Sequence, residues 1–306
     1  MPSQPLSGLF YSASAFLIWG ISPLYWKALK AVPAFEIILH RVVWSFLFLL
    51  LLLAFRHRWP EFLQGIRSKK TMTTMSVTAL LVSCNWLVYI WAVNQGHLLQ
   101  ASLGYYINPL VNVMLGYIFL KERLRCFQSI AVLLAVVGVL YLTIVYGQFP
   151  WIALTLAGSF GSYGLIRKMS PVGSMAGLAI ETMLLSIPSV FLLGYLGVNG
   201  SGFFLNSSAV IDLLLVGTAV LTATPLLLFN LGAKRIKLAT LGFMQYIAPS
   251  CMFIMAVFIF HEPFMKAQLV SFVVIWTALA LYSTDSVLFY RKHAKEWHTS
   301  HPTDSS

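Results

Sequence analysis

The chain is a succession of apolar runs, each about as long as a lipid bilayer's hydrocarbon core is thick, with only short polar links between them. Ser45 to Phe55 reads SFLFLLLLLAF, and comparable runs recur from the first residues to the last fifth of the chain. A helix rises ~1.5 Å per residue, so about 20 apolar residues cross a hydrocarbon core ~30 Å thick. Lipid offers the backbone no hydrogen-bond partners, which restricts spanning structures to helices and closed barrels. Barrel strands read as short alternating segments, and none are seen here. Composition agrees: 59% of the 306 residues are hydrophobic and 9% are charged, against about 25% charged in soluble domains. The expected fold class is all-α integral membrane, with ten transmembrane helices near 8–27, 35–55, 73–95, 101–120, 127–146, 149–166, 175–197, 209–230, 239–260 and 267–289. The segment 291–306 reads as a polar cytoplasmic tail, frayed rather than folded. The opening MPSQPLSGLF has neither a basic stretch nor a small-residue cleavage site, so no removable signal peptide is expected.

Orientation follows from the distribution of Lys and Arg. With the N-terminus in the cytoplasm, sixteen of the twenty basic residues fall in inside links or the tail, Arg167 and Lys168 among them. Lys27, Lys30 and Lys266 fall outside, and Arg41 is left within a span. The net charge of +11 is thus read as basic loops that orient the chain, and no nucleic-acid partner is expected. The expected location is the inner (plasma) membrane, multi-pass, with both termini cytoplasmic.

The two halves of the sequence echo each other. ASLGYYINPLVNVMLGYIFLKE (101–122) and ATLGFMQYIAPSCMFIMAVFIFHE (239–262) share their opening. Each also places a glutamate thirteen residues after a proline, Pro109 to Glu122 and Pro249 to Glu262, with a glutamine six residues further on, Gln128 and Gln268. WGISPLYWK (19–27) and FGSYGLIRK (160–168) correspond more weakly. Two five-span halves, 1–147 and 148–290, are therefore expected. Five is odd, so the second enters the membrane from the opposite side, the inverted-repeat arrangement associated with alternating access.

GLFYSASAFLIWGISPLYWKAL, VPAFEIILHRVVWSF and QASLGYYINPLVNVMLGYIFLKERL resemble the RarD proteins of the EamA branch of the drug/metabolite transporter superfamily, and the resemblance extends over residues 7 to 290. It implies ten spans in two inverted five-helix repeats and a secondary transporter. Relatives in the superfamily export amino acids, nucleosides or drugs, so the resemblance implies no particular solute.

The residues from which transport chemistry must come are few. Arg41 lies about seven residues, or ~10 Å, inside the second span. Exposed to lipid there it would cost at least ~2.5 kcal/mol, so it either snorkels to the headgroups or faces a wet cavity. Glu36, His40 and Trp44 share one helical face. Glu181 in GLAIETMLL is the only acidic residue well inside an apolar run, at the matching depth from the opposite side. It reads either as a proton carrier or as a carboxylate satisfied by neighbouring hydroxyls. Asn85, Asn108, Asn230 and Gln245 are candidate substrate contacts or interhelical bonds. Trp19, Tyr89, Tyr105 and Tyr163 either line the cavity or pack. Pro23, Pro109, Pro225 and Pro249 should kink or unwind their helices. Cys84 and Cys251 read as packing residues. Gly158, Gly161 and Gly164 suggest close helix contact.

No phosphate-binding loop, nucleophile elbow or zinc pattern occurs. No catalytic residue, cofactor or metal ligand is expected. The expected partners are a small-molecule substrate and the lipid bilayer, and a homodimer is left open. The expected function is a secondary transporter of a small organic solute, a metabolite or drug, by alternating access, with proton-coupled export one form of it. The alternatives are a membrane enzyme acting on a lipid-phase substrate and a non-transporting scaffold.

Overall fold

A computed structural model describes residues 3–94, 98–147, 149–259 and 266–300; Gln95, Glu262 and His261 lie outside the described residues. The described chain is helical throughout, without strands. The first expected span is two helices, α1 (Ser3–Ile21) and α2 (Pro23–Ala28). Proline at 23 removes a donor and displaces the carbonyl four residues back, that of Trp19. The Ser22 hydroxyl donates to that carbonyl at 2.8 Å. Then follow α3 (Ala34–Phe55), α4 (Trp59–Arg67), α5 (Lys69–Asn94), α6 (Leu98–Leu120) and α7 (Cys126–Tyr146). The remainder forms α8 (Trp151–Met169), α9 (Ser174–Val198), α10 (Ala209–Ala233), α11 (Leu238–Gln245), α12 (Ile247–Phe258) and α13 (Lys266–Ser300).

Nine stretches among the described residues are long and apolar enough to cross a membrane, which makes this a multi-pass integral membrane protein. Of the ten expected spans, α8 is the exception, because Thr155, Ser159, Arg167 and Lys168 lower its hydropathy. It is nonetheless a 19-residue helix with nine buried residues, packed against α5, α6 and α10. A helix sheathed by protein has no need of an all-apolar surface.

Four details depart from the sequence reading. The link expected between residues 56 and 72 contains α4, which packs on α9 through buried Phe62 and Gly65. The segment expected to fray continues as the end of α13 as far as Ser300. Pro109 and Pro225 lie inside unbroken helices, whereas the ninth segment breaks at Tyr246. That break falls where Pro249 denies the Gln245 carbonyl its helical donor. Cys84, expected to pack, is exposed.

The helices interleave reciprocally. Counting α1 to α7 as one half and α8 to α13 as the other, α1 packs on α10 as α8 packs on α5, and α3 packs on α10 as α9 packs on α5. Likewise α6 lies on α8 as α11 and α12 lie on α1. The pairs α3 with α9, α6 with α11 and α7 with α13 join like-numbered spans of the two halves. Small residues permit the closest of these approaches. A Cβ on Gly161 would come within 2.8 Å of Val111, and one on Gly242 within 2.7 Å of the Pro109 carbonyl oxygen. Gly158, expected to act with Gly161, faces open space.

Candidate functional site

Three polar groups are suspended in this apolar scaffold. The first lies at the end of the bundle that carries the 29–33 and 199–208 links. Glu36 Oε1 accepts from the backbone N–H of Phe203 at 2.7 Å and Phe204 at 3.4 Å, and sits 3.8 Å from His40 Nε2. Trp44 Nε1 donates to His40 Nδ1 at 3.1 Å, so the proton of a neutral imidazole resides on Nε2. The three residues share one face of α3, as the i, i+4 spacing requires. Their partners belong to the α9–α10 link, and the His40 and Phe204 rings lie 4.9 Å apart.

The second group is built on Arg41. Its Nε donates to Thr222 Oγ1 at 2.9 Å, and its Cζ lies 4.9 Å from the Trp26 ring centre and 5.0 Å from that of Trp86. The guanidinium therefore lies among α2, α5 and α10. Tyr89 and Tyr105 meet edge to face at 6.2 Å, within electrostatic reach of the same charge.

The third group lies toward the Lys/Arg-rich end. Glu181 is 1% exposed; its Oε1 accepts from Thr78 Oγ1 at 2.5 Å and its Oε2 from the Tyr163 hydroxyl at 3.3 Å. Asn230 Nδ2 donates to the same tyrosine oxygen at 2.9 Å. The cation of the group is Arg167, 3.5 Å from Glu181 through Nε, with its other nitrogens on Met75 Sδ and the Ser174 carbonyl. The sequence reading had placed Arg167 in a basic loop; at 0% exposure it is a core residue. Burying that charge without a partner would be prohibitive, and Glu181 supplies one. Nearby, Lys234 donates to the carbonyls of Ser170, at 2.8 Å, and Val172. Burial, reinforced by the positive charge of Arg167, pushes its ammonium down to about 8.

The remaining candidates sit apart from these groups. Trp19 packs within 6 Å of Phe16, Phe160 and Phe229. Asn85 Nδ2 ties α5 to α8 through the Leu156 carbonyl and Ser159. Gln245 Oε1 accepts from Asn112 Nδ2 at 2.5 Å, joining α6 to α11. Asn108 is buried, and its Oδ1 has no partner among the described residues. Glu122 accepts from the N–H groups of Leu238 and Ala239, capping the positive end of α11. Sequence reasoning missed Trp26, Thr78, Trp86, Arg167 and Thr222. A signal existed for two of them: aligning WGISPLYWK with FGSYGLIRK sets Trp26 opposite Arg167.

Residues 6–144 match the EamA-like transporter family. A protein of Vibrio cholerae described as an uncharacterized transporter is 46% identical over 92% of this chain and 93% of its own length. The chain belongs to the EamA-like transporter family and is of the RarD type. Protein RarD of Escherichia coli K12 is 42% identical to this EamA-family chain over 95% of it and 99% of the relative. A solved crystal structure with 18% identity superposes with a TM-score of 0.70, covering 92% of this chain and 98% of the other; at that identity the likeness extends to the fold alone.

Proposed function

We propose that this protein is a secondary transporter that moves a small organic solute by alternating access. Its moving parts are the two five-span halves, 1–147 and 148–290, acting as inverted repeats, with α8 as the tenth span. The Lys/Arg-rich end and both termini face the cytoplasm, in keeping with the charge bias. One observation carries the reading. Arg41 of the second span donates to Thr222 of the eighth, while Thr78 of the third span donates to Glu181 of the seventh. Exchanging the halves turns one contact into the other. Such reciprocal packing offers two equivalent ways for the halves to lean on each other, as rocking about a fixed site requires.

Glu181 is the group through which protons act in this proposal. Protonation would remove the charge that holds Arg167, leave a buried cation unpaired, and favour the state in which the cytoplasmic end opens. A membrane enzyme would instead draw on the Glu36–His40 pair, 3.8 Å apart, as its acid and base; in the structure Glu36 is engaged by the backbone N–H groups of Phe203 and Phe204.

The test is reconstitution. Purified protein in proteoliposomes should accumulate or release labelled organic solutes, and the rate should respond to an imposed pH gradient. Vesicles that move no member of a broad metabolite and drug panel, yet chemically alter a lipid, would favour the enzyme.

A further inference from the structure

We propose that Arg41 binds the carboxylate of an organic monoanion whose flat apolar body lies against Trp26, Trp86, Tyr89 and Tyr105. The inference deepens the transporter reading and rests on it. The two arginines set among the helices differ in how the protein occupies their donor fork. Arg167 directs its terminal nitrogens at Met75 and Ser174, and its Nε lies 3.5 Å from Glu181 as an ion pair without a hydrogen bond. Arg41 gives only Nε to the protein. The residue is half-buried, and its terminal nitrogens are not among the fully buried atoms lacking partners, so they stay accessible and without a protein acceptor. No carboxylate pairs with Arg41 among the described residues, where the arginine ion pairs are those of Arg58, Arg125 and Arg167.

The surroundings specify what fills that space. A guanidinium against aromatic rings keeps its edge free, and that edge matches a carboxylate with two parallel hydrogen bonds. Tyr105 is 40% exposed although its ring meets Tyr89, so part of its aromatic face stays uncovered by protein within electrostatic reach of the charge. Arg41 contributes one positive charge, which a monoanion neutralises; a dianionic phosphate would carry an uncompensated charge into a low-dielectric site. A cationic solute would meet the guanidinium with no carboxylate to offset it.

The experiment holds the body constant and varies the charge. Purified protein is titrated with indole-3-acetate, indole-3-acetamide and tryptamine, reading thermal shift and tryptophan fluorescence, with benzoate against phenyl phosphate as a second pair. The carboxylates should bind at least about tenfold more tightly than their neutral, cationic or phosphate counterparts. Arg41→Gln should erase that preference, and Arg41→Lys, which keeps the charge but not the fork, should retain part of it. Trp86→Leu should weaken all three indoles alike. Equal binding of the three indoles, tighter binding of phenyl phosphate, no binding of either carboxylate, or an unchanged preference in Arg41→Gln would each overturn the proposal. If Arg41→Gln does not fold, the charge series on the unaltered protein decides. Carboxylate binding without flux in proteoliposomes would sink the transporter reading and spare the site; flux of other solutes that ignores Arg41→Gln would do the reverse.

Discussion

Arg41 and Glu181 stand at the same place in two helices of opposite halves, each seven residues beyond the helix start at Ala34 and Ser174. Each is held by a threonine from the other half, Thr222 at 2.9 Å and Thr78 at 2.5 Å. They carry opposite charges and do not pair with each other. Glu181 is neutralised by Arg167, whereas Arg41 has aromatic faces and a hydroxyl. Two positions at the same depth in their helices thus hold a carboxylate paired with an arginine in one case and an arginine without a carboxylate in the other.

Arg41→Ala should leave the protein inserted and monodisperse but without transport. A charge-assisted hydrogen bond contributes about 2 kcal/mol, so solute affinity should fall about thirtyfold. Initial flux measured beside a surface-labelling control for insertion checks this. Wild-type flux would mean that Arg41 serves only to pack.

Glu181→Leu leaves Arg167 buried without its carboxylate and should destabilise the fold by about 3–5 kcal/mol. The double variant Arg167→Met/Glu181→Leu should recover most of that loss, because an apolar pair of similar volume needs no desolvated charge. Thermal melting of the single and double variants in one detergent is the measurement. Additive losses would show that the two residues do not act as a pair.

Glu181→Gln keeps the side-chain shape and removes the titrating oxygen. Its flux should become flat with pH where the parent protein responds to a gradient, as a single proton-accepting site predicts. A pH profile that survives the substitution assigns coupling elsewhere.

Lys234 gives a pH signature of stability. Burial and Arg167 lower its ammonium to about 8, below the ordinary lysine value near 10.4. Between those values the unfolded chain binds more protons, so this residue's contribution to stability rises with pH across that window and is absent below it. Lys234→Met should remove that rise from melting curves recorded between about pH 7 and 10. An identical slope in both proteins would contradict it.

Gly242→Ala places a methyl group against the Pro109 carbonyl oxygen, 2.7 Å away. Backbone cannot yield as a side-chain tip does, so α6 and α11 must separate, at about 1–3 kcal/mol. Gly158→Ala, where nothing lies within 4 Å, should be nearly silent and serves as the control.

Much of the architecture was legible in the residues because lipid imposes a one-dimensional rule. A backbone in hydrocarbon must be helical or part of a closed barrel, and run length then gives the spans. Pro23 and Pro249 marked the discontinuous segments, but Pro109 and Pro225 did not break theirs, since neighbouring helices can hold a proline-bearing helix continuous. Arg41 and Glu181 stood out by their cost alone. Arg167 did not: an arginine three residues before a loop is indistinguishable in sequence from one in that loop, and only the approach of α5 and α9 buries it.

From the sequence alone came the helical class, the segment positions, the echo between halves and the few ionisable groups that need an explanation in hydrocarbon. All of these follow from local length, hydropathy and spacing. Tertiary structure alone decided which groups meet: Glu181 with Arg167, Thr78 and Tyr163, and Arg41 with Thr222, Trp26 and Trp86. Those partners come from helices far apart along the chain, and whether a buried charge is locked or left open depends on what the packing of distant helices brings within about 4 Å of it.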